Sequence, residues 1–475
     1  MNFTSEIFLF YFLPLTLLVL YLLKSRSVTI ALAWLSLASL TFYAWEVPHY
    51  VFLVLFSVTV DWFASNGMLK TERKDIRKGL LLLSIISNLG LLAYFKYSGF
   101  FAENVEKLGS VLGATPIPHD VVAHLKSVVL PAGISFYTFT ALSYTVDIYY
   151  RKVHRARSFI EFLAYITMFP HLVAGPIVRY SDIEAQLKEL RVRSLEIEEG
   201  LHFFILGLAK KVLIADSLAS LAEFVFDTGS VTHGFVNLLG VLTYSLQLYF
   251  DFSGYSEMAV GLGLFLGIRF PQNFNSPYKS ASISDFWKRW HMTLSYWFRD
   301  YVYIPMGGSR CGPVRRTFNL IATMSICGFW HGAGWKFLLW GTGHGVALVL
   351  DKWWSKSDAI LVAWGRRLFC LLVVIGLWIP FRAKSTEDMS RIFYNMSHHL
   401  FASDVLGALK ALPKEALLAV LLLGPAVLLV LFAKNVFELK KEFSPIKSLL
   451  LTVIFIISVY TLLARDYIPL LYFQF

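Results

Sequence analysis

The sequence predicts an all-α, polytopic integral membrane protein, and three observations carry that expectation. Of its 475 residues, 56% are hydrophobic and 16% aromatic, while only 16% are charged, against roughly 25% in an ordinary soluble domain. Apolar runs of about 17 to 25 residues, long enough to cross hydrocarbon as helices, recur along the whole chain. Short loops rich in Lys and Arg separate many of them, the pattern of cytoplasmic loops.

Candidate spans begin near Ile7, Val28, Tyr50, Gly79, Pro131, Phe159, Leu201, Phe235, Phe318, Trp335, Arg367, Leu417 and Leu449. The first, Ile7 to Leu23, contains Pro14 and is followed by no small-residue cleavage site, so it reads as a retained helix. Gly, Pro or charge interrupts several others. The expectation is therefore about 10 to 12 transmembrane helices plus re-entrant and interfacial helices. Basic loops place the N-terminus outside, Lys24 and Arg26 inside, Glu46 to His49 outside and Lys70 to Lys78 inside. Glu103 to Lys126 then falls outside and Arg151 to Arg157 inside, after which the break at Phe169-Pro170 makes the alternation uncountable. Nothing divides the chain into soluble parts, so residues 1–475 read as a single integral membrane domain. Because the net charge of +11 resides largely in these loops, the expected partner is anionic lipid and not nucleic acid. Cys311, Cys327 and Cys370 are isolated, with neither a disulfide framework nor metal-ligand spacing, and no metal site is expected.

Three polar intervals interrupt the apolar pattern: 102–130, 181–200 and 271–316. The first ends in Val128-Val-Leu-Pro-Ala-Gly133, where proline and glycine break or start a helix. Alternating charges from Asp182 to Glu199 predict a surface helix in the second. In the third, Ser282 or Ser284 can cap a helix on which Phe286, Trp287, Trp290, Leu294, Trp297, Phe298 and Tyr301 recur at three- and four-residue spacing. That spacing predicts an amphipathic aromatic helix at the membrane surface. Its Lys288, Arg289 and Arg299 would face headgroups or the phosphates of a nucleotide-containing donor.

The chemistry concentrates on His331, in Gly328-Phe-Trp-His-Gly-Ala-Gly-Trp335. An imidazole in so apolar a stretch is costly unless it is used, and neutral histidine is matched to removing a hydroxyl proton near neutral pH. The competing explanation is a histidine satisfied by a partner helix. Asp251 and Glu257 lie six positions apart and would point apart on one unbroken helix, which Gly254 is expected to break; they could relay protons or anchor a re-entrant loop. His344 follows His331 by 13 positions (344 minus 331), about 20 Å along one helix, and is expected to be a structural histidine near one mouth of the protein. His171 is expected to bond backbone freed by Pro170.

Five segments together resemble the membrane-bound O-acyltransferase family: Trp330-His-Gly-Ala-Gly-Trp335, Phe286-Trp-Lys-Arg-Trp-His-Met-Thr-Leu-Ser295, Asp251-Phe-Ser-Gly-Tyr-Ser256, Arg269-Phe-Pro-Gln-Asn-Phe-Asn275 and Phe169-Pro-His-Leu-Val-Ala-Gly-Pro176. The resemblance extends from the first span to Tyr472-Phe-Gln-Phe475 and is to the bacterial polysaccharide O-acetyltransferase branch, of the alginate and peptidoglycan type. It implies a helical funnel around a central tunnel, in the bacterial inner membrane, with no tightly bound cofactor. It also implies acetyl-CoA as the cytoplasmic donor and outward passage of the acetyl group, often through a periplasmic acetyltransferase, to a polysaccharide acceptor. His331 matches the family's catalytic histidine, and His291, 40 positions upstream (331 minus 291), matches a second histidine of this branch where other branches carry Asn. Two alternatives remain: D-alanyl transfer from a carrier-protein thioester to teichoic acid, and a transporter or channel, against which the lack of an inverted repeat counts. The aromatic tail Tyr467 to Phe475 is expected either to shape the acceptor site or to anchor at the interface.

Overall fold

In hydrocarbon a backbone must satisfy its own hydrogen bonds, so the apolar runs fold as helices. Each expected start lies within a helix or within three residues of one, and no strand occurs among the described residues. The computed structural model describes residues 1–113, 117–354, 360–400, 404–439, 444–465 and 468–471. Five of its helical stretches are long and apolar enough to cross a membrane: Pro48–Leu69, Lys74–Val111, Leu361–Arg382, Lys414–Phe432 and Pro445–Ala464. Phe8–Lys24 and Val28–Ala44 are also apolar but shorter. Most of the remaining expected spans are helices that carry buried polar side chains. The protein is an all-α, multi-pass membrane protein.

The chain forms two compact units, Met1–Gly200 with Leu262–Pro271, and Leu201–Gly261 with Gln272–Phe475. In the first, the helix Ile134–Tyr149 packs against Val51–Leu69 and Lys74–Leu92, and nearly all its side chains are buried. Its start requires glycine: Gly133 has φ 72°, and a Cβ there would lie 2.6 Å from the Leu172 carbonyl oxygen. The next helix, Phe159–Thr167, stops short of Pro170. Two side chains satisfy the backbone freed by that stop: His171 Nε2 meets the Tyr165 carbonyl at 2.9 Å, and Ser39 Oγ accepts from Phe169 N–H at 3.0 Å.

The charged interval differs from its expected single surface helix. Tyr180–Glu189 ends at Leu190, which has φ 43°, and a second helix starts at Ser194. There Glu199 is buried in a bidentate pair with Arg269, at 2.6 and 2.7 Å. The basic residues Lys70, Arg151, Lys152 and Arg155, from two expected cytoplasmic loops, line one cavity of about 620 Å³.

The helix Gly234–Phe265, which lies in the second unit up to Gly261, runs unbroken for 32 residues, so Gly254 does not break it. The glycine instead lets two helices touch: a Cβ on Gly254 would lie 2.6 Å from the Gly207 carbonyl oxygen, and one on Gly207 would lie 2.5 Å from that of Gly254. The helices Pro313–His331 and Trp335–Trp354 lie antiparallel by the same device. Here a Cβ on Gly328 would fall 2.2 Å from the Phe337 carbonyl oxygen, and one on Gly341 2.2 Å from that of Met324.

Candidate functional site

His331 is the last residue of the helix Pro313–His331, because Gly332 turns extended at φ −166° and the next helix begins at Trp335. A Cβ on Gly332 would lie 2.0 Å from the Phe337 ring, so this sharp exit excludes any larger side chain. The imidazole is 6% exposed and sits among Trp330, Trp340 and Phe381, with ring centres 4.9, 5.0 and 5.3 Å away. Three aromatic rings around a nearly buried imidazole leave little room for water, which strengthens any hydrogen bond or proton transfer made there.

The segment expected to form one aromatic helix is broken at His291. A short helix Ile283–Trp287 precedes the break, Met292–Phe298 follows it, and His291 has φ 43°. The cause is a second stretch of backbone. Asn275 N–H donates to the Arg289 carbonyl at 2.9 Å, and Met292 N–H donates to the Asn273 carbonyl at 2.9 Å. Phe286, Trp287, Trp290, Trp297 and Phe298 are buried, so this aromatic face belongs to the protein core and not to the membrane surface.

Asn273 also sets the state of His291. Its amide nitrogen donates to Ser256 Oγ at 3.1 Å, which leaves its oxygen to accept from Thr293 N–H at 3.3 Å and Thr293 Oγ at 2.9 Å. His291 Nδ1 meets the same oxygen at 3.1 Å and must therefore carry the proton, leaving Nε2 as the basic nitrogen. The ring is fully buried and lies 6.5 Å from Trp330, the ring that also flanks His331. The structure thus gathers both predicted histidines around one indole.

His344 corrects the single-helix distance expected for it. The turn at Gly332–Gly334 folds the chain back, and Trp340 lies 5.0 Å from both His331 and His344. The two imidazoles can be no further apart than twice that distance. His344 is fully buried, among Trp287, Trp340 and Trp378, and belongs to the same aromatic cluster instead of to a mouth.

The basic candidates are less uniform. Lys288 is exposed, Arg289 is held by Asp285 at 2.9 Å, and Arg299 is paired with Asp300 at 2.7 Å and lies over the Tyr296 ring. Asp251 and Glu257 meet separate lysines: Lys211 bridges Asp251 and Asp216 at 2.8 and 2.6 Å, and Lys210 meets Glu257 at 2.5 Å. Asp251 also accepts from Leu471 N–H at 2.8 Å, which fixes the inner end of the C-terminal segment; Tyr472 to Phe475 lie outside the described residues.

Sequence reasoning missed Asn273, Trp340, Phe381 and the two lysines. Asn273 stood within a quoted motif, but nothing in its spacing announced what it bonds. Among the described residues, no group of three or more His, Cys, Asp or Glu side chains is placed to hold a metal ion.

The sequence profile of the membrane-bound O-acyltransferase family matches residues 3–379. The chain is 41% identical over 402 residues to the probable alginate O-acetylase AlgI of Azotobacter vinelandii, covering 83% of this chain and 78% of that protein. It is 35% identical over 427 residues to the peptidoglycan O-acetyltransferase of Helicobacter pylori, covering 83% and 79%. A more distant relative, the teichoic acid D-alanyltransferase of Streptococcus thermophilus, is 32% identical over 243 residues, covering 48% of this chain and 58% of that protein.

Proposed function

This chain belongs to the membrane-bound O-acyltransferase family, and from that premise we propose that it moves acetyl groups from cytoplasmic acetyl-CoA for O-acetylation of an extracytoplasmic polysaccharide. The observation that carries the reading is His331, an imidazole on a helix end in a nearly closed aromatic box. Neutral His331 removes the proton of an acceptor hydroxyl while that oxygen attacks the thioester carbonyl. The imidazolium then returns the proton to the departing thiolate, so the products are the O-acetyl ester and free CoA. His291, with Nε2 as its basic nitrogen, takes part beside the same Trp330 ring. Lys288, Arg289 and Arg299 attract the donor's phosphates on its approach.

In this reading residues 1–475 act as one membrane domain in the bacterial inner membrane. Acetyl-CoA is a substrate, no cofactor is tightly held, and a periplasmic acetyltransferase or the polysaccharide itself receives the group. The relatives acting on alginate and peptidoglycan support a polysaccharide acceptor, since each covers most of this chain. D-alanyl transfer is the second reading, favoured by a relative that covers about half of it.

The test is radiolabelled transfer by the purified protein in proteoliposomes, with and without candidate partners. Label from acetyl-CoA reaching a hydroxyl acceptor is expected. Label accepted only from a D-alanyl carrier-protein thioester would replace the reading with the second one.

A further inference from the structure

Trp287 Nε1–H lies 3.3 Å from His344 Nδ1, and an indole nitrogen can only donate. His344 Nδ1 is therefore the acceptor, and the ring's one remaining proton is on Nε2. That N–H is fully buried and meets no hydrogen-bond acceptor among the described residues. The same is true of Trp340 Nε1–H, on a side chain only 1% exposed. Two buried donors on adjacent rings are thus left unused, and Trp340 is also the ring against which His331 rests. Buried donors without acceptors are uncommon because each forfeits its bond to water, and they recur where a substrate supplies the acceptor. The required ligand chemistry follows: an uncharged group that accepts and does not donate, small enough for an aromatic box. A carbonyl oxygen meets each condition.

We propose that His344 and Trp340 form a donor subsite for the carbonyl oxygen of the transferred acyl group. As the acceptor oxygen adds to the carbonyl carbon, the carbonyl electron pair moves onto this oxygen, and the two N–H groups bond it more strongly than in the ground state. When the thiolate leaves, the pair returns and the carbonyl reforms. Neither donor loses its proton. The proposal rests on the acyl-transfer reading, so its test includes a measurement that needs no turnover.

The probes are two unreactive CoA derivatives, the ketone analogue acetonyl-CoA and its thioether counterpart without a carbonyl, propyl-CoA. Wild type should bind the ketone about 100-fold more tightly, about tenfold for each of two good hydrogen bonds, and His344→Phe, which keeps the Trp340 N–H, should lose about tenfold of that preference. In turnover His344→Phe should lower kcat about 100-fold with a thermal transition close to that of wild type, since phenylalanine removes the orphaned Nε2 donor but also the acceptor of Trp287 Nε1–H. His344→Gln, which restores an N–H at similar reach, should recover part of both losses. Equal discrimination between the probes by wild type and His344→Phe would overturn the subsite, as would wild-type kcat in that variant. Binding of neither probe by wild type would instead remove the CoA donor, and the subsite with it.

Discussion

The ion cluster around Lys211 and the aromatic cluster around His331 both bury titratable side chains in the second unit, and they treat them in opposite ways. Lys211 is closed by Asp251 and Asp216, Lys210 by Glu257, and Asp251 has a further bond from Leu471 N–H. His331, His291 and His344 are surrounded by indole and phenyl rings. A buried charge held by an opposite charge resists change, whereas an imidazole walled by aromatic rings stays neutral more readily. On the acyl-transfer reading, the first cluster serves as scaffold and the second as the place of the chemistry. His171, in the first unit, supports the distinction, since its Nε2 is bonded to the Tyr165 carbonyl and it has the setting of a structural histidine.

The largest expected effect tests the scaffold side. Lys211→Met leaves the buried Asp251 and the half-buried Asp216 without their shared cation, a change that typically costs about 3–5 kcal/mol. Membrane yield and the thermal transition in detergent should fall sharply, and residual activity should track the amount of folded protein. A stable Lys211→Met protein that has lost transfer would break the comparison, because it would make the cation part of the chemistry.

The next effect tests the other side. His331→Ala should lower acyl transfer by roughly 100-fold or more while the thermal transition stays near that of wild type. A folded variant with near-normal transfer would remove His331 from the reaction. Smaller again is Asn273→Ala, which frees the His291 tautomer by deleting the oxygen that holds its Nδ1–H. A loss of about tenfold in kcat is expected, less than for removing His291 itself, because the ring remains and only its orientation and proton placement loosen. Equal losses in both variants would mean that Asn273 serves the backbone pairing and not the imidazole.

What the sequence made legible follows from the same physics. Hydrocarbon admits only self-satisfied backbone, so apolar runs translated into helices. One histidine in such a run stood out, and its neighbouring glycines marked a sharp turn. Local pattern could not show that Asn273 reaches across 18 positions (291 minus 273) to fix His291, because that pairing has no period. Nor could it show that Gly254 permits a close helix crossing, since glycine both breaks helices and lets them touch. The aromatic repeat from Phe286 to Tyr301 had the helical spacing, yet competing backbone bonds from Asn273 and Asn275 interrupted it. His344 was misplaced because a path length along one helix fails once the chain turns back at Gly332.

The smallest effect concerns the basic residues that border the second cluster. Replacing Lys288, Arg289 and Arg299 together by Gln removes three positive charges and releases Asp285 and Asp300 from their partners. A patch that attracted phosphate would then repel it. The apparent KM for acetyl-CoA should rise several-fold with kcat little changed, the signature of weakened approach and not of damaged chemistry. Since Arg289 and Arg299 are already paired and Lys288 is exposed, Lys288→Gln alone should give much of the salt-sensitive part. Raising ionic strength shortens the screening length to about 8 Å at physiological salt and further beyond it, so the difference between variant and wild type should shrink as salt is added. A KM that stays at the wild-type value in low salt would assign these side chains to lipid headgroups. The site's electrostatics would then end at the aromatic walls around His331.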